Sequence, residues 1–260
     1  MLKIEKEQFD LISHLLNDEN SHFPLLESIL SDKKKGSVYV NSFETPTAAL
    51  VISNDGWFYQ LGGEDDINFN SGLEDIIVEE TKNNKPILWF GISKKWRRKL
   101  GDNGSLEVKD FPRIQYRFNK SDYISYGENP FPYQLEYISK ENVEKVLEYN
   151  DGIISFWGTI DNFIENGFGF ILLDKEKIVA QCISASVENG EAEIDIETDD
   201  SYRGKGIARF MASCLIDECM KRCYIPKWDC AVGNIPSRKL ADKLGFEKVA
   251  EYPFSYITSL

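Results

Sequence analysis

Residues 201–210 read SYRGKGIARF. Two glycines bracket a lysine, and the stretch links an acid-rich alternating run, EAEIDIET (191–198), to an amphipathic one. The first amides of a helix have no partner within it and lie at the positive end of its dipole. Glycines let an anion approach such amides closely. Three phosphate chemistries compete with a plain strand-to-helix turn. A Walker A loop needs a hydroxyl residue after Gly-Lys, and Gly206 follows Lys205, so that reading fails. A dinucleotide turn needs a third small residue where Arg209 stands, and hairpin strands precede it, so that reading mostly fails. A pyrophosphate at a helix start remains, with Arg203 and Lys205 supplying positive charge.

The elements around this stretch must position it. EAEIDIET alternates with period two, which puts Glu193, Asp195 and Glu197 on one face of a strand and Ile194 and Ile196 on the other. Ile207, Met211, Cys214, Leu215 and Cys219 recur at helical spacing. Upstream, YQLEYIS (133–139) reads as a strand. KENVEKVLEYN and FWGTIDNFIENG read as helices, and FGFILLD (168–174) and KIVAQCISASV (177–187) as strands. Downstream come a strand KWDCAV, a helix 237–244 ended by Gly245, and FEKVAEYPFSYI as one or two strands. This order mixes antiparallel hairpins with parallel crossovers in an α/β, or α+β, fold.

The first half opens with a helix over 4–16 and a second, short one over 24–30. SVYVNSF (37–43), TAALVIS (47–53) and WFYQLGG (57–63) read as strands, the last two joined as a hairpin by Asn54-Asp55-Gly56. Ser71 and Glu74 suggest a capping box opening a helix to about Lys82, and ILWFGI follows as a buried strand. KKWRRK (94–99) is either an anion clamp or a solvated helix face, the commoner meaning of a charge run. NKSDYISYGENPFPY (119–133) is rich in turn formers and reads as a linker. No internal repeat is evident.

The chain has 260 residues, 42% hydrophobic and 28% charged, with a formal net charge of −13. That length suits two domains. The charge argues against nucleic acid and anionic membranes as partners, and suits an amine-bearing one. The start, MLKIEKEQFD, lacks a signal pattern, and no apolar run is long enough to span a membrane. Five cysteines (Cys182, Cys214, Cys219, Cys223, Cys230) form no CxxC pair, which implies reduced thiols in a cytoplasmic protein. Only His14 and His22 are histidines, so a metal site is not expected. Cys230 has no histidine after it to activate it and reads as a core thiol.

Arg203-x-x-Gly206-x-Ala208 resembles the acyl-CoA signature of the GCN5-related N-acetyltransferase (GNAT) superfamily. Ile196-x-Thr198-x-Asp200-x-x-Arg203, Asn234 after KWDCAV, and Ser237-x-x-Leu240 with Lys243-Leu244-Gly245-Phe246 are similar to three further family segments, and the element order from residue 133 matches too. The WDC run at 228–230, the threonine before the glycines and the long N-terminal extension look most like the zwittermicin A resistance-type subgroup. Asp200 stands at the family's proline position, and Ala241 where a tyrosine often protonates the leaving thiolate.

The resemblance implies a GNAT fold over 126–260, with a mixed, largely antiparallel sheet flanked by helices. A smaller α/β domain over 1–125, which would wall the acceptor pocket, precedes it. It implies direct acetyl transfer from acetyl-CoA to an amine, without metal. The cofactor would lie on Ile196, Thr198, Arg203, Gly204, Lys205, Gly206, Ile207, Ala208, Asn234 and Ser237. The strand 191–198 should splay from KWDCAV, freeing the Thr198 amide for an oxyanion. Glu193, Asp195, Glu197 and Asp229 are candidates for the base, with Glu197, nearest the splay, and Asp229, on the adjoining strand, preferred; each alternatively lies on a solvated face, and an ordered water is the other route to deprotonation. Tyr252, Tyr256 and Ser237 are open as acids. The expected acceptor is a small aminated molecule such as an antibiotic. The alternatives are a protein or peptide amine, or a non-catalytic acyl-CoA sensor; a homodimer is allowed.

Overall fold

A computed structural model describes residues 1–17, 20 and 23–260. His22 lies outside the described residues. In chain order the first eleven strands and helices are β1 (Leu2–Ile4), α1 (Leu26–Leu30), β2 (Gly36–Val40), β3 (Ala48–Ser53), β4 (Trp57–Gly62), α2 (Ile67–Lys82), β5 (Ile87–Phe90), α3 (Lys94–Gly101), β6 (Leu106–Asp110), β7 (Arg113–Phe118) and β8 (Gln134–Tyr137). The rest are α4 (Val143–Tyr149), α5 (Gly152–Trp157), α6 (Ile160–Asn166), β9 (Gly169–Asp174), β10 (Lys177–Glu188), β11 (Glu191–Thr198), α7 (Ile207–Lys221), β12 (Ile225–Ala231), α8 (Ile235–Lys243), β13 (Phe246–Tyr252) and β14 (Phe254–Ser259).

Two seven-stranded sheets result, ordered β1-β2-β3-β4-β5-β14-β6 and β8-β9-β10-β11-β12-β7-β13. Their strands are mostly antiparallel, with parallel pairs β4/β5 and β11/β12. Laid side by side, the two orders are the same, and so is the order of strands and α-helices from β2 to β7 and from β9 to β14; the halves differ in the helices after their first strands, α1 in one and α4, α5 and α6 in the other. The chain is therefore a structural repeat, which the divergent halves do not betray in their residues. Each half gives its last strand to the other half's sheet: β14 lies between β5 and β6, and β7 between β12 and β13. The compact units are accordingly discontinuous. One comprises Met1–Arg113, Ala231–Gly233 and Glu251–Leu260; the other comprises Ile114–Cys230 and Asn234–Ala250. A division at 125/126 misses this exchange, because a strand's destination is set by long-range pairing that local pattern does not carry.

In the first unit both sheet faces are covered, so β3 is buried at every position. Phe69, Leu73 and Ile77 of α2 recur every fourth residue and pack with Leu50, Phe58 and Trp89. On the other face Phe23 and Leu26 join Val38, Tyr59, Phe90 and Tyr252. Helix α2 begins earlier than Ser71, because Asp66 caps it by accepting the Phe69 N–H at 2.9 Å. Residues 6–15 form a 3-10 rather than an α helix. KKWRRK is a half-buried helix face: Trp96 and Leu100 turn inward, while Lys95, Arg97 and Lys99 pair with Asp65, Asp110 and Glu74.

In the second unit β10 pairs antiparallel with β9 and β11. Helix α7 packs on β9–β11, and α4 and α5 pack on β10. The expected helix over FWGTIDNFIENG is two, α5 and α6, broken at Gly158 with φ of 75°. Residues 119–133 form no helix or strand, yet they are tethered rather than free. Tyr123 Oη donates to Asp217 at 2.8 Å, Ser125 Oγ donates to Asp217 at 2.6 Å, and the Tyr126 N–H donates to Ser213 Oγ at 2.8 Å. The segment is a strap along α7. No helix among the described residues is long and apolar enough to cross a membrane.

Removing a central strand leaves two unpaired edges. A fragment of residues 126–260 lacks β7 and is expected to show no cooperative thermal transition by circular dichroism. Residues 113–252, which restore β7 and omit β14, are expected to melt cooperatively.

Candidate functional site

The opening stretch lies where β11 ends and α7 begins. Gly204 and Gly206 have φ of 76° and 89°, a left-handed backbone that suits glycine. Gly206 is the N-cap of α7 and gives it no side-chain cap. The first helical bond is from the Phe210 N–H to the Gly206 carbonyl at 3.2 Å, so the amides of Ile207, Ala208 and Arg209 precede it. A Cβ built on Gly204 would meet no atom within 4 Å, and one on Gly206 would come only within 3.8 Å of Tyr126 Oη. The loop is an open cradle.

It borders a cavity of about 840 Å³ lined by Tyr126, Ile196–Thr198, Tyr202–Gly204, Gly206–Arg209 and, from α8 and its N-cap Asn234, by Asn234, Pro236, Ser237, Lys239, Leu240 and Lys243. Of the expected cofactor residues only Lys205 is absent from this lining. Its ammonium lies over the Tyr202 ring, 4.6 Å from the centroid. Arg203 lines the cavity but is committed elsewhere: Nε donates to the Thr198 carbonyl at 3.0 Å, and Nη1 pairs with Asp200 at 2.7 Å. It ties the loop to the strand end. The cations that sequence reasoning missed are Arg209, Lys239 and Lys243. The signal was present in the i, i+4 spacing of the two lysines on α8. Three more positive charges around open amides, in a chain of net charge −13, fit an anion with several phosphates.

Helix α8 is placed by its own cap. Asn234 accepts the Ser237 N–H at 3.1 Å, and Ser237 Oγ accepts the Trp228 indole N–H at 3.1 Å. Both residues thus hold the helix start against β12 while facing the cavity. Ala241 is fully buried and brings no hydroxyl. Tyr252 and Tyr256 belong to the first unit, Tyr252 within 4.9 Å of the Phe23 ring centre and Tyr256 on β14.

At the other end of the cavity the strands part. β11 pairs with β12 only over Glu191–Glu193, so residues 194–198 splay away. The alternating acids do not lie on a solvated face. Glu193 is buried and Asp195 and Glu197 are half-buried, because α4 and α5 cover this side of the sheet. Glu197 lines the cavity and accepts a hydrogen bond from the Asn150 amide. Asn150 Oδ1 also takes the Gly152 N–H at 2.5 Å, which holds the turn between α4 and α5 onto the strand. Asp195 is closely surrounded by protein, and burial, then the charge of Glu197, pushes its carboxyl up to about 6. Asp229 is half-buried on β12 and does not border the cavity.

The cysteines are all free thiols. Burial raises Cys182 well above its usual value and pushes Cys214 and Cys219 up to about 12, so none of the three is a ready nucleophile. Cys230 is buried. His14 Nε2 lies 2.8 Å from the Pro46 carbonyl oxygen. Among the described residues no three metal-ligating side chains cluster.

The repeat offers an internal comparison. In the first unit the junction of β4 and α2 corresponds to the cradle, and it reads Gly62-Gly63-Glu64-Asp65-Asp66. Here the helix start is closed by Asp66. Its bonds to the Phe69 N–H and the Asn41 amide hold the carboxyl below its ordinary value, so it is charged at neutral pH. Three acids and a filled cap make this helix start unsuited to a phosphate, whereas the start of α7 is left open.

A family model for GNAT acetyltransferases matches residues 13–255. A Bacillus subtilis protein named as an uncharacterized N-acetyltransferase, YdfB, is 25% identical over 98% of this chain and 97% of its own length. Among solved structures, a GCN5-related N-acetyltransferase-like protein from Streptococcus suis superposes with a TM-score of 0.74 at 23% identity, covering 98% of this chain and 99% of its own. A tandem GNAT protein from the clavulanic acid biosynthesis pathway gives 0.65 at 11% identity, covering 99% and 97%.

The contrast between the two helix starts sets a stoichiometry. Calorimetric titration with coenzyme A is expected to give one site per chain. Gly206→Val should abolish the heat, and Gly63→Val should leave it unchanged.

Proposed function

Since the chain belongs to the GNAT acetyltransferase family, we propose that it moves an acetyl group from acetyl-CoA to the amine of a small molecule by direct attack in a ternary complex. One observation carries the reading: a single cavity joins the uncapped amides of α7 to Glu197 at the splay of β11. One end suits the phosphates of the cofactor and the other suits an amine.

The bound cofactor supplies an activated thioester carbonyl. Arg209, Lys239, Lys243 and the amides of residues 207–209 hold its anionic part, and Asn234 and Ser237 flank its arm. Backbone released at residues 196–198 donates toward the developing oxyanion. Glu197, fixed by Asn150, takes the proton that an ammonium must lose before it attacks. Asp229, which does not border the cavity, is the weaker candidate. With Ala241 at the acid position, the thiolate leaves with solvent as its proton source; its pKa is low enough for that. The covered carboxylates favour a compact acceptor over a protein segment, in line with the aminated-antibiotic acceptor that the zwittermicin-type resemblance suggests.

Ala241 also supports a second reading, an acyl-CoA sensor without turnover. A panel of small amines with acetyl-CoA, read as free thiol, separates the two: amine-dependent release supports transfer, and cofactor binding with no release on any amine supports the sensor. For a turned-over amine, Glu197→Gln is expected to lower kcat by ~10²–10⁴-fold. Asp229→Asn should change it less than about threefold, because that side chain does not border the cavity.

A further inference from the structure

The acids of β11 have company that the transfer mechanism does not use. Gln181 of β10 stands directly opposite Glu197 in the antiparallel register, so both side chains project from the same face of the sheet. Gln181 is 1% exposed, and neither its Oε1 nor its Nε2 has a hydrogen-bond partner. A buried amide left unpaired at both ends is costly, and sequences seldom keep one without use. Asp195 lies two residues before Glu197 on this face, beside Gly152, where a built Cβ would stand 3.7 Å from its Oδ2.

Among the described residues neither Asp195 nor Glu197 forms an ion pair, although both are half-buried. The cluster therefore holds two carboxylates without a cation, together with one unspent donor and one unspent acceptor. Glu197 lines the cavity, and Gln181 and Asp195 stand next to it on the same sheet face, outside the lining itself.

We infer that Asp195, Glu197 and Gln181 form the acceptor site and that it selects a compact cation with a second hydrogen-bonding group beside its amine, a 1,2-amino alcohol or vicinal diamine. Asp195 and Glu197 face the ammonium, and Gln181 pairs with the neighbouring hydroxyl or amine. The inference rests on the acetyltransferase reading. The raised carboxyl of Asp195 agrees with it: the group is unfavourable as an anion until a cation arrives. Its folded value of about 6 lies above the ordinary 3.8, so the anion costs stability as pH rises through that interval, and the full cost is present at pH 7.

The test uses the full chain, acetyl-CoA, and the matched pair trans-2-aminocyclohexanol and cyclohexylamine, with free thiol as the rate signal and coenzyme A titration alongside. The wild type is expected to prefer the amino alcohol by about tenfold or more in kcat/KM, the discrimination that an otherwise unpaired site group gives. Gln181→Leu should cut that preference to about threefold or less while still acetylating cyclohexylamine. Asp195→Asn should lower kcat/KM on both amines about tenfold or more, mainly through KM, leave coenzyme A binding unchanged, and raise Tm at pH 7 because an uncompensated charge is gone. A purely structural Asp195 would not give higher Tm with higher KM. Equal rates on the two amines, a preference that survives Gln181→Leu, or unchanged KM in Asp195→Asn overturns the inference. So does turnover of other amines but neither of these, which leaves the transfer reading standing. Coenzyme A binding without turnover of any amine removes both, and Gln181→Met, a neutral replacement of similar size, with a retained Tm guards against misfolding as the cause of a loss.

Discussion

The start of α7 is the constraint on which the site depends. A helix that begins without a side-chain cap gives up a stabilising bond, and here left-handed glycines at 204 and 206 keep that start open. Arg203 compensates by fastening the loop to the Thr198 carbonyl and to Asp200, spending its charge on structure. The charges offered to the cavity come instead from Arg209 and from α8, whose place is fixed by the Asn234 cap and the Trp228–Ser237 bond. The strap at 119–133 holds Tyr126 as a further wall through Ser213 and Asp217.

The same topology answers the opposite problem in the other unit. There the equivalent helix start is filled by Asp66 and surrounded by acids. One plan thus occurs once with an open helix start and once with a capped one. The exchange of β7 and β14 means that neither half of the chain contains all the strands of one sheet.

Much of the second unit was legible in the residues. Period-two runs placed β9, β10 and β11, and the glycine loop placed the open start of α7, because these depend on local backbone preference. Three things were not legible. The repeat and strand exchange rest on pairing between residues far apart in the chain. The partial burial of Asp195 depends on α4 and α5 lying over the face of a central strand whose alternation looks solvated. The contacts of Arg203 with Thr198 and Asp200, and of Lys205 with the Tyr202 ring, were not legible either, because charge alone does not say where a guanidinium or ammonium finds its partners. Lys239 and Lys243 were visible as a pair on one helix face, but only the fold brings that face to the cavity.

The central claim is that the open amides of α7, and no others, receive the cofactor. Backbone amide shifts of ¹⁵N-labelled protein titrated with coenzyme A test it directly. The account predicts that the largest changes fall on Ile207, Ala208 and Arg209 and that residues 66–69 do not move. Changes centred on 66–69, or none at 207–209, would contradict it.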